Sequence, residues 1–162
     1  MNAGLKTTCL WIFSLLFVVN GCVASSNQFV GNTVSSAPVV ALQPGGPHAG
    51  SWETFDIKID YEYKQDGNVF EIKGDALLSQ HYEIMFSQLR DLRVFLFFLD
   101  DNSRVLEASM IARSLTPQID EKLQFSKFFK VPQGSVRISF GYDGKVSENE
   151  DIESFYLLPL NN

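Results

Sequence analysis

Alternation with a period of two is the feature that most constrains this chain. Phe55, Ile57, Ile59, Tyr61 and Tyr63 alternate with Asp56, Lys58, Asp60, Glu62 and Lys64. Successive side chains of a strand point to opposite faces, so this pattern predicts one buried and one wet face, as in an antiparallel sheet. Gln65-Asp66-Gly67-Asn68 follows, and Asp-Gly supplies the positive φ that a tight hairpin needs. The return strand places Phe70, Ile72, Gly74, Ala76 and Leu78 on one side, with Glu71, Lys73 and Asp75 on the other.

Further strands follow from the same logic. Val94-Phe95-Leu96-Phe97-Phe98-Leu99 is apolar in both phases, which suits a central strand covered on both faces. Asp100 to Ser103 forms a turn, and Val105 to Ala112 runs back. Leu123 to Val131, a Pro132-Gln133-Gly134 turn, and Val136 to Tyr142 come next; Asp143-Gly144 is expected to end that strand, and Phe155 to Leu160 to close an edge. Residues Gln80 to Asp91 fit a strand or a helical stripe equally well, since Tyr82, Ile84 and Phe86 serve one and Tyr82, Met85, Phe86 and Leu89 the other. About seven short strands with closely spaced turns and no alternating βα pattern predict an all-β, antiparallel β-sandwich, immunoglobulin-like or transthyretin-like in architecture, with an open barrel as the alternative.

The first residues read as an address. Lys6 precedes Leu10 to Val19, an apolar run broken only by Ser14. As a helix that run reaches roughly 15 Å, about half a bilayer core, so a secretory signal peptide is expected over residues 1–21 rather than a permanent span. Val19-Asn20-Gly21-Cys22 resembles the lipobox of bacterial lipoproteins. That resemblance covers residues 1–22. It implies that the Cys22 thiol carries diacylglycerol, that signal peptidase II cuts before it, and that the new amine is acylated. Val23 rather than Asp after the cysteine implies the outer membrane. The alternative is ordinary cleavage after Ala24, giving a soluble secreted or periplasmic protein.

Residues 22–50 contain no Asp, Glu, Lys or Arg and close on Pro44-Gly45-Gly46-Pro47-His48-Ala49-Gly50, so a flexible linker is expected there. The other possibility in this stretch is a docking strand within Ala37 to Leu42. The globular domain is accordingly expected over residues 51–162, which carry every charge except Lys6.

Candidate chemistry is sparse. The chain has net charge −6, with 13 Lys+Arg against 19 Asp+Glu, which argues against a nucleic-acid partner. Its two cysteines and two histidines do not make a zinc framework. His81 is the one histidine after Gly50, and no G-x-S-x-G elbow or phosphate-cradling glycine motif accompanies it. Asp100-Asp101 reads as an acidic turn, and Glu148, Glu150, Asp151 and Glu153 as a solvated one rather than a calcium loop. No catalytic residue, cofactor or metal is expected. Trp52 and Phe128 break the phase of their neighbours and are the candidate binding residues, as an exposed docking or sugar-stacking patch. The expected function is a non-catalytic, lipid-anchored envelope protein that docks another envelope protein; the alternative is an anchored glycan- or ligand-binding module.

Overall fold

The computed structural model describes residues 27–114 and 116–160. The signal peptide and Cys22 lie outside the described residues. Among the described residues nine strands form two antiparallel sheets packed face to face, an all-β sandwich and not a closed barrel. They are β1 (Val39–Ala41), β2 (Gly45–Glu53), β3 (Ile57–Asp66), β4 (Val69–Leu78), β5 (Gln88–Leu99), β6 (Val105–Arg113), β7 (Leu123–Lys130), β8 (Arg137–Glu148) and β9 (Asp151–Leu157). A short helix, α1 (Gln80–Met85), links β4 to β5 and settles the ambiguous stretch as helix followed by strand.

One sheet runs β2-β3-β4-β7; the other runs β1-β8-β5-β6, with β9 also paired to β8. The β3–β4 hairpin pairs in register from Ile57↔Leu78 to Asp66↔Val69, and Gly67 takes the positive φ of its turn. Ile57, Ile59, Tyr61 and Tyr63 are buried, as are Phe70, Ile72, Ala76 and Leu78. Gly74 is required in this hairpin, because a Cβ there would collide with the Asp60 carbonyl and the Phe125 ring.

Four expectations are corrected. First, over the described residues 27–50 the linker does not hold, and neither does the boundary at Gly50, because β1 and β2 belong to the two sheets of the sandwich. The strap formed by residues 27–37 lies on the outer side of the five-stranded sheet. There Phe29 meets Phe95 and Phe97 edge-on, with ring centroids 5.5 Å apart in each case. Phe29, Val34, Phe95, Phe97, Leu99, Val105 and Ala108 make a second core, distinct from the one between the sheets. This is why Val94 to Leu99 is apolar in both phases. The strap then leads at Pro38 into β1 on the edge of the same sheet, and the Pro38 carbonyl accepts from Trp52 Nε1 and from Ser139 Oγ, both at 2.7 Å.

Second, β2 forms in spite of Pro47 and its glycines because it is an edge strand. Pro47 falls where the register shifts between Gly45 and His48, and an edge position tolerates the missing N–H. Gly50 leaves room for the Tyr61 ring. Third, Asp143-Gly144 does not end β8. Asp143 binds the Arg93 guanidinium of the neighbouring strand at 2.6 and 2.9 Å, and Gly144 makes room for the Phe155 ring, so the strand continues to Glu148. Fourth, Phe55 is not on the buried face of β3. It lies in the β2–β3 turn and is 79% exposed.

Candidate functional site

Trp52 is not part of an exposed patch. Its side chain is 1% exposed and packs edge-on against Phe140, 5.7 Å between centroids. The reason is a turn at Thr54–Asp56 that the alternation conceals: Trp52 belongs to β2, where it pairs with Ile59 and faces the core beside it. Phe128 is 61% exposed on the outer face of β7, opposite Glu71, while Phe125 and Phe129 point inward. The two candidates therefore sit on the two edge strands of one sheet, facing opposite ways, and form no common surface.

The structure instead gathers exposed apolar side chains at one end of the sandwich. The β2–β3 turn closes through the Thr54 N–H donating to the Ile57 carbonyl at 3.0 Å. Ser79, at the start of α1, ties that turn down: its hydroxyl donates to the Phe55 carbonyl at 2.7 Å and its N–H to the Asp56 carbonyl at 2.8 Å. The Asp56 carboxylate accepts from Tyr82 of α1 at 2.8 Å and from Tyr142 of β8 at 2.5 Å. Turn, helix and central sheet are thus joined at one charge. Such charge-assisted hydrogen bonds are roughly twice as strong as neutral ones.

Burial first, and then the hydrogen bond to Asp56, push both tyrosine hydroxyls well above the usual range for their type. Both are neutral donors at any physiological pH, and both Asp56 oxygens are occupied. Asp56 thus clamps the turn to the helix and to β8.

With its loop pinned on three sides, the Phe55 ring is held in solvent, tilted at 32° against the His81 ring with centroids 4.4 Å apart. Ile84 and Met85, on the outward side of α1, are 77% and 60% exposed. Three large apolar side chains on two fixed elements make a pole, where preorganisation lowers the entropic cost of binding. Beside the pole, a cleft of about 290 Å³ opens between the sheets over Leu78, Leu89, Leu92, Ile119 and Leu123.

A second surface lies on the outer face of the five-stranded sheet, above the half that the strap covers. The rows Arg113–Arg93–Asp143–Tyr156 and Asp91–Lys145–Ser154 cross β6, β5, β8 and β9. With Arg90 they line a shallow trough of about 650 Å³. Arg93 and Arg113 reach Asp143 and Asp91 at 2.6 and 3.0 Å. Arg90 donates to Ser147 Oγ at 2.8 Å, and among the described residues neither Arg90 nor Lys145 has a carboxylate partner.

The remaining candidates stand apart from both surfaces. Asp100 Oδ1 accepts from the N–H groups of Asn102 and Arg104 at 2.9 and 2.8 Å, as a turn aspartate does. The run from Glu148 to Glu153 forms the β8–β9 hairpin, with Asn149 at positive φ. Among the described residues no three His, Cys, Asp or Glu side chains converge as a metal would require, and no helix is long and apolar enough to cross a membrane.

Alternation along β3 concealed Phe55, and the cations of the trough come from positions 90 to 145, so only strand pairing brings them together. The available signal for the pole was its turn chemistry: Thr54, Asp56 and Ser79 are residues that bind backbone groups locally. The chain matches no family model, no curated protein and no solved structure.

Proposed function

We propose that the chain is a non-catalytic, lipid-anchored protein of the bacterial cell envelope that docks a second envelope protein through the Phe55–Ile84–Met85 pole. The anchor is Cys22, with the outer membrane as its location; its support is the resemblance of Val19-Asn20-Gly21-Cys22 to a lipobox. The docking role is carried by one observation. Phe55 stays 79% exposed even though three hydrogen-bonded elements fix the loop beneath it. A rigid aromatic with apolar neighbours is the composition of an interface hot spot. Among the described residues the one carboxylate set between buried hydroxyls is committed to holding this loop.

The test uses the full chain in its native envelope with a photoreactive side chain at position 84 or, as a control face, at 128. One protein adduct of defined mass from position 84, absent from 128 and lost on Phe55→Asp, is the expected result. Equal adducts from both positions overturn docking at the pole. Binding to purified peptidoglycan or polysaccharide with no protein adduct moves the function to the glycan-binding alternative. For the anchor, mass spectrometry of the mature N-terminal peptide should show an acylated Cys22; an unmodified N-terminus at Ser25 overturns it.

A further inference from the structure

We propose that the outer face of the five-stranded sheet lies against the membrane, with its cationic rows on anionic phosphate headgroups. The inference rests on the anchor at Cys22 proposed above. Its first support is covalent reach. Asn27 is the first described residue, and the steps from Cys22 to Asn27 span no more than about 18 Å even when fully extended. Phe29 is already packed on Phe95 and Phe97, on the outside of that sheet. An acylated Cys22 therefore draws this face, and not the opposite sheet, toward the lipid.

Charge supplies the second support. The chain as a whole is net −6, yet the trough above the strap sets Arg90, Arg93, Arg113 and Lys145 against Asp91 and Asp143 alone. On the outer face of the other sheet Lys58, Lys73 and Lys122 are paired with Asp60, Glu62 and Asp75, and of the remaining cations Lys64 stands opposite Glu71 and Lys130 opposite Val69. The face nearest the anchor is thus the one with surplus positive charge, which anionic headgroups attract within a Debye length.

Amphipathic side chains complete the surface. Tyr156, in the same row as Arg93 and Asp143, is 68% exposed, Leu160 beyond β9 lines one cleft with it, and both Leu160 and Val30 of the strap are exposed. A tyrosine flanked by cations and aliphatic residues suits the headgroup boundary. In this pose the strands run along the membrane and the Phe55 pole points sideways, toward a partner held in the same layer.

The experiment uses the acylated mature chain in phosphatidylcholine vesicles with and without phosphatidylglycerol. A fluorophore is attached through Tyr156→Cys or, on the opposite sheet, Phe128→Cys, and the quencher is borne on lipid headgroups. Both sites are exposed, and the thioether at Cys22 leaves the new thiol unique. Quenching several-fold stronger at 156 than at 128 is expected in vesicles with phosphatidylglycerol. Arg90→Gln and Lys145→Gln should each weaken the apposed pose about fivefold. Inserting a long Gly-Ser segment between Ser26 and Asn27 should reduce the difference between the two sites.

An acylated protein quenched equally at 156 and 128 overturns the apposed face and leaves the anchor standing. Stronger quenching at 156 that is unchanged without phosphatidylglycerol overturns the headgroup contact. A mature chain with no acyl mass on Cys22 overturns the anchor itself, and this inference with it.

Discussion

The two sheets of this sandwich face the outside on different terms. On the four-stranded sheet every second residue of β3 and β4 meets water, and the exposed face is laced with ion pairs such as Lys73–Glu62 at 2.7 Å. On the five-stranded sheet the outward phenylalanines of β5 are covered by a strap some sixty residues earlier in the chain. The same backbone geometry thus gives an amphipathic strand in one layer and a doubly apolar one in the other. What differs is a tertiary cover, and the strand's composition records that the cover exists without saying where it comes from.

The sharpest way to break this contrast is to remove the cover's anchor. Phe29→Ala and Phe97→Ala should each cost about 3–5 kcal/mol, measured as a fall in the urea midpoint, because each empties a packed aromatic site. A Phe29→Ala cost near zero would mean that the strap merely rests on the sheet. Next in size is Gly144→Ala, which drives a methyl into the Phe155 ring and should cost about 1–3 kcal/mol through overpacking.

Tyr142→Phe strips one donor from Asp56 and should cost about 1–3 kcal/mol, with mobility gained at the Phe55 turn by hydrogen exchange. The pH dependence follows from the same pair. Both folded hydroxyls titrate above the ordinary value of 10.0, so the unfolded chain loses these protons first. Stability is therefore unaffected by these groups below about pH 10 and falls as pH rises past it. The Tyr82→Phe/Tyr142→Phe double variant should flatten that alkaline decline in thermal unfolding scans. Smallest of all, Lys73→Gln on the wet face should leave the urea midpoint unmoved, since exposed ion pairs contribute little.

How much of this was legible in the sequence depends on whether a signal is local. The β3–β4 hairpin is written in neighbouring residues, as period-two alternation around Asp66-Gly67, and it folds in that register. The doubly apolar β5 is likewise local. By contrast, Pro47 and Gly50 have the composition of a linker, and only their place at a sheet edge under Tyr61 turns them into strand. Trp52 was displaced from the surface by a turn two residues on, which moved it to a different strand with the opposite phase. At the site, the solvent-facing side of Phe128 follows from its phase against Phe125 and Phe129. The pole and the cationic rows have no such signature, because hydrogen bonds between β2–β3, α1 and β8, and cross-strand pairs over four strands, assemble them.

Thr33 forms ladder bridges with both Arg104 and Leu160, and its N–H and carbonyl are each bonded to Leu160, at 3.1 and 3.2 Å. The earliest described segment is therefore locked by nearly the last. On the ribosome, Phe29 and Val34 are made first and must wait for β5, β6 and finally Leu160 before they can be buried. Until then they are loose hydrophobic cargo, the part of the nascent chain that a holding chaperone would seize, and a stop codon just before Leu160 would leave the latch without its catch.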